Sequence, residues 1–510
     1  MTTHPRLTLF ATLVLAGLGT LPACGGAPHE SAPVKIDDVD ARIVQVADSL
    51  QRPLIVDGTE IERWNVEDRM RQFNVPGVSV AVIDEGRLSW VHAWGVKEAG
   101  SDDPVTTETL FQAGSVSKPV AALLALSLVG DGKLKLDQPV NKILKTWQVP
   151  ENEFTIEQPV TLRHVLTHQA GFTPFGYLIP RSEGSVPGMA ELLRGGIRDW
   201  PEITVEFVPG SRHAYSNAGY CVLQLLLEET SDGSLQELAA QKMFGPLGMD
   251  HSTFAEPLDQ TLLAAAASGH ERKKKGDTNE REAVPVEGKA EIAPGATGGL
   301  WSTPSDLAAM VVEVMRAWKG ESEAVVTADL ARQFLTPQVA DEGIGISVEG
   351  EGTTLRASHG GGMTGFVCLM VFYPETGQGA IVMTNSDGGR WLQQELIAAI
   401  AAEYGWPSYP VRRSLGSVTA DQLEELAGVY TLEASPEYTF LVRIENGKAI
   451  GQINQYPPFE LAPTTDRDLY ILARESLEIV FLRDENEAIV QVELRRAGDA
   501  GNRYSRLAAP

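Results

Sequence analysis

The chain has 510 residues, of which 43% are hydrophobic and 22% are charged, a composition typical of a globular protein and unlike that of a disordered one. Its 42 basic and 68 acidic residues give a net charge of −26, and because an acidic surface repels phosphate backbones, nucleic acid is excluded as an expected partner. Three cysteines are too few for a disulfide scaffold or a cysteine-rich metal site.

The N-terminus has the pattern of an export signal. Leu7–Leu21 is almost wholly apolar, too short to span a bilayer but of the length of a secretory hydrophobic region. The run ends in Leu21-Pro22-Ala23-Cys24, which resembles a bacterial lipobox. The resemblance implies removal of residues 1–23 and lipidation of Cys24. Because Gly25 follows, it also implies an exported lipoprotein anchored to the outer membrane and facing the periplasm. An ordinary signal peptide without lipidation is the alternative.

The next elements predict an α+β domain over residues 61–404. Residues 24–60 are predicted to form a tether and a first helix, and the apolar spacing of Ile61–Phe73 predicts a second helix. Short apolar runs bounded by turn residues predict two β-hairpins, formed by Val78–Ile83 with Leu88–Gly95 and by Gly365–Tyr373 with Gly379–Asn385. Because the chain between the hairpins is mainly helical and loop-rich, we expect an antiparallel sheet flanked by helices, with an inserted helical subdomain.

The character of the chain changes near residue 405. Two prolines, Pro407 and Pro410, mark a predicted linker over residues 405–420. The following region, residues 421–508, contains short alternating runs separated by turn residues, a pattern that predicts a small all-β sandwich or barrel. The predicted strands are Val429–Leu432, Phe440–Ile444, Ala449–Ile453, Leu469–Leu472, Ile479–Leu482 and Ile489–Leu494.

Ser115 and Lys118 are the strongest candidates for catalysis. They stand three residues apart, directly before the apolar helical run Val120–Val129, and residues i and i+3 share one face of a helix. A serine hydroxyl becomes a good nucleophile when a neighbouring group withdraws its proton, and a lysine can do so when an apolar environment lowers its pKa. The helix N-terminus would stabilise a developing anion. The alternative is a serine that only caps the helix and a surface lysine.

Two later segments supply groups that such a pair needs. Tyr215-Ser216-Asn217 contains a phenol, whose pKa a nearby ammonium can lower so that it exchanges protons with a serine. It also contains an amide that can bind substrate. The segment His359–Phe366 leads into a predicted strand, and its glycines would let a substrate lie close to the strand backbone.

In this order and at these distances, the three elements resemble those of the serine β-lactamase and penicillin-binding protein superfamily. Within it, the chain is most similar to the class C β-lactamase branch with its esterase and peptidase relatives. The resemblance covers about residues 61–404. Beyond the three elements, it includes the segments Leu162–Gly171 and Gly298–Leu307. It implies a β-lactamase/transpeptidase-like fold and a serine hydrolase.

The resemblance also implies roles for individual residues. Ser115 would be the acylated nucleophile, with Lys118 and Tyr215 sharing general-base and general-acid work. The backbone N–H groups of Ser115 and Gly362 would form the oxyanion hole, which stabilises charge that appears only in the tetrahedral state. The substrate-binding residues would be Asn217, His359 and Gly361.

The third element departs from the β-lactamase pattern, which has Lys-Thr-Gly where this chain has His359-Gly360-Gly361. Lysine is a permanent cation that suits a substrate carboxylate, whereas histidine is only partly charged near neutral pH. We therefore expect ester or amide acyl transfer, on D-amino-acid peptides or small esters, without a strict carboxylate requirement. The alternatives are a class C-like β-lactamase or D,D-carboxypeptidase, and a non-catalytic protein that binds peptidoglycan fragments as a sensor.

No metal or cofactor is predicted. His164 and His168 have the i, i+4 spacing of zinc ligands, but no glutamate accompanies them as in zinc proteases. Cys221 and Cys368 lie in apolar contexts, which favour two buried free thiols over a disulfide.

The region from about residue 421 resembles the lipocalin-like β domain found in relatives of this kind. Such a domain would either limit substrate size at the active-site mouth or only add surface. The expected partners are a small-molecule or peptide substrate and, through the lipid anchor, a membrane. The sequence does not indicate the oligomeric state.

Overall fold

The structure is a computed structural model, and it describes residues 36–173, 178–179, 187–197, 200–276, 278, 280–432, 435–496 and 501–507. The predicted signal peptide and the predicted lipidation site Cys24 lie outside the described residues. The α-helices are α1 (Ile36–Ala47), α2 (Val66–Phe73), α3 (Ser117–Gly130), α4 (Glu153–Glu157), α5 (Leu162–Leu166), α6 (Met189–Arg194), α7 (Asn217–Ser231), α8 (Leu235–Ala239), α9 (Gly245–Leu247), α10 (Gln260–Ala265), α11 (Pro304–Lys319), α12 (Ala328–Phe334), α13 (Gly389–Tyr404) and α14 (Ala420–Leu426).

The strands fall into a central sheet, a C-terminal sheet and three short pairs. They are β1 (Leu54–Val56), β2 (Gly77–Asp84), β3 (Arg87–Gly95), β4 (Phe111–Gln112), β5 (His270–Lys274), β6 (Arg281–Pro285), β7 (Trp301–Ser302), β8 (Ser347–Glu349), β9 (Arg356–Met363), β10 (Phe366–Tyr373), β11 (Gln378–Thr384), β12 (Val411–Arg413), β13 (Gly428–Leu432), β14 (Ser435–Glu445), β15 (Lys448–Ile453), β16 (Phe459–Glu460), β17 (Ala462–Pro463), β18 (Leu469–Leu472), β19 (Leu477–Arg483), β20 (Ile489–Arg496) and β21 (Asn502–Arg506).

The central sheet has six antiparallel strands in the order β3-β2-β11-β10-β9-β8. Both predicted hairpins belong to it, and the two ends of the hydrolase-like region therefore meet in one sheet. Strand β10 is buried at every position, because its alternate side chains enter two separate cores. Cys368 and Met370 face the larger core, and Leu369 and Val371 face the smaller one.

Helices cover both faces of this sheet. On one face the smaller core is closed by α1, α2 and α13. On the other, the larger core contains α3, α7 and α11 together with the rest of the helical insertion. Helix α3 is buried at every position from Ser117 to Leu128, as expected for a helix that is apolar on all sides. This is the β-lactamase/transpeptidase-like α+β architecture that the sequence predicted.

Two predicted element bounds are corrected. The helix predicted over Ile61–Phe73 begins only at Val66, because the Asn65 side chain accepts hydrogen bonds from the N–H groups of Glu67 and Asp68 and so caps the helix. The glycine segment that begins at His359 does not merely lead into a strand. It forms most of β9, which pairs with β10.

The C-terminal strands form a nine-stranded antiparallel sheet in the order β16-β15-β14-β13-β21-β20-β19-β18-β17. Its two edge strands are separated in the chain by Leu461 alone, so the sheet curls back on itself into a nearly closed barrel. The core of the barrel contains Tyr430, Phe440 and Phe481, and α14 covers it with Leu423 and Leu426.

The barrel is docked on the hydrolase-like domain. Strand β1, before the central sheet, pairs in parallel with β12, after it, and Leu54 and Val56 pack against Ile471 of the barrel. The buried carboxylate of Glu478 in the barrel accepts hydrogen bonds from Arg413 at 2.7 Å and from Arg495 at 3.1 Å. Within the described part of the chain, no helix is long and apolar enough to cross a membrane.

Candidate active site

Ser115 lies in a single 3₁₀ turn, Gly114–Val116, directly before α3. The backbone here is pressed against strand β9. Gly114 has a φ of +53°, and a Cβ at this position would lie 2.6 Å from the backbone nitrogen of Gly362. A Cβ on Gly361 would lie 1.9 Å from the carbonyl oxygen of Ala113. Two glycines therefore allow β9 to approach the turn that holds Ser115.

Lys118 is completely buried beneath Ser115. Its Nζ lies 3.1 Å from Ser115 Oγ, 2.8 Å from Asn217 Oδ1 and 2.8 Å from the carbonyl oxygen of Thr297. Burial lowers the pKa of Lys118 from 10.5 to about 7, because the ammonium is poorly solvated there. A substantial fraction of the lysine is therefore neutral near pH 7. The neutral amine can donate to Asn217 and Thr297 and direct its lone pair at the serine hydroxyl.

Tyr215 lies on the other side of the serine. Its hydroxyl donates a hydrogen bond to Ser115 Oγ at 2.9 Å. The expectation that a nearby ammonium lowers its pKa is wrong: loss of solvation raises the pKa of Tyr215 to about 12, against the opposing effect of the hydrogen bond with Ser115. Tyr215 is therefore a neutral hydrogen-bond donor.

Asn217 is the first residue of α7, which begins where the Ser216 side chain accepts a hydrogen bond from the Gly219 N–H. This cap fixes the start of the helix. Asn217 Oδ1 accepts a hydrogen bond from Lys118 Nζ. A residue at the start of α7 therefore orients the lysine at the start of α3. Sequence reasoning did not find the third acceptor of the lysine, the Thr297 carbonyl.

His168 supports Tyr215 from behind. It is buried, and its ring lies 4.3 Å from the ring of Tyr215 and 5.2 Å from that of Tyr220, measured between centroids. Its Nδ1 accepts the backbone N–H of Ser216 at 3.1 Å. His164 Nδ1 likewise accepts the N–H of Thr161. Among the described residues, no group of three or more histidine, cysteine, aspartate or glutamate side chains could hold a metal ion.

Strand β9 forms one side of the pocket. Strand β8 pairs with it at Arg356 to Ser358, and in the described part of the chain no strand pairs with this edge beyond Ser358. His359 lines the pocket, and its Nδ1–H donates to the carbonyl of Gly360 at 2.8 Å. Loss of solvation and the nearby Lys118 lower the pKa of His359 to about 4. The partial charge expected for this histidine is thus absent near neutral pH.

The pocket is a cavity of about 480 Å³ that includes Ser115, Tyr215 and His359. Sequence reasoning missed three charged residues that also line it: Glu342, Arg390 and Arg496. Burial raises the pKa of Glu342 to about 8. Arg496 belongs to β20 of the barrel, so the C-terminal domain lies at the mouth of the pocket. None of the three stands in a motif; only their place in the fold brings them together.

The two cysteines of the central domain take no part in this site as nucleophiles. Cys221 and Cys368 are buried and unbonded. Burial raises the pKa of both thiols, so they remain protonated and unreactive. The sequence prediction of two buried free thiols is confirmed.

Curated proteins similar to this chain are hydrolases by name. A D-aminopeptidase from Brucella anthropi is 26% identical over 332 residues, covering 62% of this chain and 58% of that protein. An unguisins hydrolase from Aspergillus violaceofuscus is 26% identical over 392 residues, covering 67% of this chain and 65% of that protein. The chain thus spans about three fifths of the length of these two relatives.

Solved structures share the fold. A penicillin-binding protein homologue from Pyrococcus abyssi, described as octameric, superposes with a TM-score of 0.54 and 21% identity, covering 86% of this chain and 98% of that chain. A D-amino acid amidase from Ochrobactrum anthropi SV3 superposes with a TM-score of 0.54 and 19% identity, covering 72% of this chain and 99% of that chain.

The family model described as Beta-lactamase matches residues 63–404. This range contains the serine turn, the tyrosine segment and strand β9, and it leaves out the barrel. The chain belongs to the β-lactamase family.

Proposed function

We propose that this protein is a serine hydrolase that cleaves amides and esters through an acyl-enzyme on Ser115. The observation that carries the proposal is the position of Lys118 Nζ, 3.1 Å from Ser115 Oγ in a buried site that lowers the lysine pKa to about 7. A base within hydrogen-bond distance and with a pKa near the working pH is what a serine nucleophile requires.

The contacts support one order of events. Neutral Lys118 takes the proton of Ser115 Oγ as that oxygen bonds to the substrate carbonyl carbon. The backbone N–H groups of Ser115 and Gly362 would stabilise the resulting oxyanion. The leaving nitrogen or oxygen receives a proton from Tyr215, which is neutral and 2.9 Å from Ser115 Oγ, and the Lys118 ammonium restores it. Water then hydrolyses the acyl-enzyme with the lysine again as base.

A substrate with a D-amino-acid residue and a free ammonium group is the best supported class. The names of the similar D-aminopeptidase and D-amino acid amidase point to it, and the pocket contains a carboxyl group to receive the ammonium. Glu342 lies close enough to Tyr215 and Tyr220 for its charge to raise both their pKa values. Burial raises the pKa of Glu342 to about 8, against the opposing effect of a hydrogen bond with Ser347. The carboxyl group is thus mostly protonated near neutral pH, and a bound ammonium would favour its ionised form.

The alternatives are less well supported. Efficient β-lactam hydrolysis would benefit from a permanent cation on β9, and His359 is neutral there. A non-catalytic sensor would not need a depressed lysine pKa beside a serine hydroxyl. We therefore place the β-lactamase and the sensor behind the amide hydrolase, of which a D,D-carboxypeptidase would be one form.

A substrate panel tests the proposal. The measurement is kcat/KM on D-alanine p-nitroanilide, its L-enantiomer, a small p-nitrophenyl ester and a penicillin, with Ser115→Ala as the blank. We expect Ser115-dependent turnover with the D-anilide preferred over the L-anilide and over the penicillin. Turnover of the penicillin alone would overturn the amide assignment, and no turnover of any substrate would favour the sensor.

We further infer export and lipidation at Cys24, with an anchor in the outer membrane facing the periplasm. The lipobox-like sequence Leu21–Cys24 supports this. Metabolic labelling with an alkyne fatty acid tests it: the natural chain should take up label and sediment with membranes, whereas Cys24→Ala should do neither. Equal labelling of both would contradict the inference.

A further inference from the structure

Two arginines from separate domains line the same pocket as Ser115. Arg390 is the second residue of α13, which packs on the central sheet, and Arg496 is the last residue of β20 in the barrel. The family match ends at residue 404, so Arg496 comes from outside the matched region. The pocket is therefore built by both domains.

Arg390 lies directly over strand β9. Its Nη2 is 2.9 Å from the position that a Cβ on Gly362 would occupy. The missing side chain of Gly362 thus leaves room for the guanidinium, next to the backbone N–H expected to form part of the oxyanion hole. Because adjacent strand residues face opposite sides, Arg390 lies on the face of β9 away from the serine turn, but it lines the same cavity as Ser115. A substrate that extends past β9 in this cavity would meet a positive charge.

Neither arginine has an acidic partner among the described residues. The residue before Arg496 differs in this respect, since Arg495 forms ion pairs with Glu478 and Glu493. In a protein with a net charge of −26, two arginines without a carboxylate partner at one cavity are a concentration of positive charge. A guanidinium matches a carboxylate in shape and can bind it through two parallel hydrogen bonds.

The acidic and basic side chains of the pocket lie at different places along it. Glu342 lies on the tyrosine side of the pocket, where it acts on Tyr215 and Tyr220. Arg390 lies on the side of Gly362. His359, which lines the same cavity, is neutral near pH 7, so the positive charge among the lining residues comes from Arg390 and Arg496.

We propose that Arg390 and Arg496 bind a carboxylate of the substrate, so that the preferred substrate is a short D-amino-acid peptide with both ends free. This rests on the proposed function and narrows it: the ammonium end would meet Glu342 and the carboxylate end the two arginines. It also gives the barrel a specific role, because one of the two specificity residues belongs to it. The sequence predicted no strict carboxylate requirement because of His359 alone. The two arginines would instead give the enzyme a preference for a substrate carboxylate.

The test compares two substrates that differ only in this group, D-alanyl-D-alanine and its C-terminal amide. For the wild type we expect a higher kcat/KM on the free acid. In Arg390→Gln and Arg496→Gln the ratio of the two values should fall about tenfold or more, the usual effect of a charge-assisted hydrogen bond. Arg496→Lys should recover part of the ratio, and Arg496→Glu should reverse the preference.

Arg503→Gln is the matched control, because Arg503 pairs with Glu493 on the barrel surface and should keep the wild-type ratio. A ratio that is the same in all variants, with turnover of the amide retained, would overturn the carboxylate site while the proposed function stands. If the wild type cleaves neither peptide nor any activated ester in a Ser115-dependent manner, the proposed function fails and this inference fails with it.

Discussion

Two groups of residues form the site: Ser115, Lys118, Tyr215 and Asn217, which we call the catalytic floor, and Glu342, Arg390 and Arg496, which we call the charged wall. The two groups differ in how their polar atoms are partnered within the protein. On the floor, each of the four residues forms a hydrogen bond with another protein group, and Lys118 also contacts the Thr297 carbonyl. On the wall, two cations have no acidic partner in the part of the chain that the structure describes, and one carboxyl group has a raised pKa.

This difference suggests that the floor determines the rate of the reaction and that the wall determines which substrate is preferred. A closed hydrogen-bond network on the floor holds its groups in place before substrate arrives, which is the condition for moving a proton at low cost. Charges on the wall that lack partners are costly until a substrate neutralises them. Changes on the floor should therefore lower kcat for every substrate, and changes on the wall should alter the choice among substrates.

The largest effect is expected for Ser115→Ala. Loss of the nucleophile should lower kcat on a p-nitrophenyl ester by about 10⁴-fold or more, as for other serine hydrolases. Ser127→Ala is the control, since that hydroxyl, farther along α3, donates only to the Leu124 carbonyl. A residual rate in Ser115→Ala within tenfold of the control would mean that another group is the nucleophile.

Lys118→Met should be next, with a loss of about 10³-fold in kcat, because removing the general base leaves the serine hydroxyl protonated. The replacement is unbranched and apolar and so suits the buried position. Rapid-quench or steady-state assays on the ester are sufficient. A rise in KM alone, with kcat retained, would show that the lysine only binds substrate.

The pH profile sharpens the same point. Since the pKa of Lys118 is lowered to about 7, the lysine is protonated and unable to accept a proton below that pH. The value of kcat/KM should therefore rise as pH increases through about 7 and then level. A rising limb near the ordinary lysine value of 10.5, or one that persists in Lys118→Met, would argue against the lysine as base.

Tyr215→Phe should have an intermediate effect. It removes the hydrogen bond to Ser115 Oγ and the proton donor to the leaving group, so we expect a loss of about 10²-fold in kcat with little change in KM. The loss should be greater for an anilide than for a p-nitrophenyl ester, whose leaving group does not need a proton. Equal losses on the anilide and the ester would mean that Tyr215 positions Ser115 and does not protonate the leaving group.

The smallest effect should come from the wall. Glu342→Gln keeps the size of the side chain but cannot balance an ammonium, so KM for D-alanine p-nitroanilide should rise about tenfold. The N-acetylated anilide serves as the comparison, since it has no ammonium to lose. An equal rise for both substrates would assign Glu342 to the structure of the pocket.

Sequence reasoning identified the fold and the candidate residues of the floor, and it did so for physical reasons. Alternating apolar residues predicted the hairpins of the central sheet, and the Ser115–Lys118 spacing placed both groups on one side of a helix start. What failed was local electrostatics. The pKa of Tyr215 depends on how much water reaches its hydroxyl, and no sequence pattern reports that.

The wall was not predictable in the same way. Arg390 is an ordinary arginine in the first turn of a helix, and Arg496 is one of two adjacent arginines at the end of a strand. Arg495 forms an ion pair with the buried Glu478 of the same barrel, whereas Arg496 lines the pocket. The docking of the barrel through β1 and β12 brings Arg496 to that place. Glycines gave a similar lesson: Gly361 serves close packing against Ala113 rather than the approach of substrate alone.

The central claim, a nucleophilic Ser115 activated in its unliganded pocket, is tested most directly by intact-protein mass spectrometry after exposure to a fluorophosphonate. The wild type should gain the mass of one phosphonyl group, at a rate that increases as pH rises through about 7, and Ser115→Ala should gain none. An unmodified wild type, or an adduct of equal mass and rate on Ser115→Ala, would contradict the account.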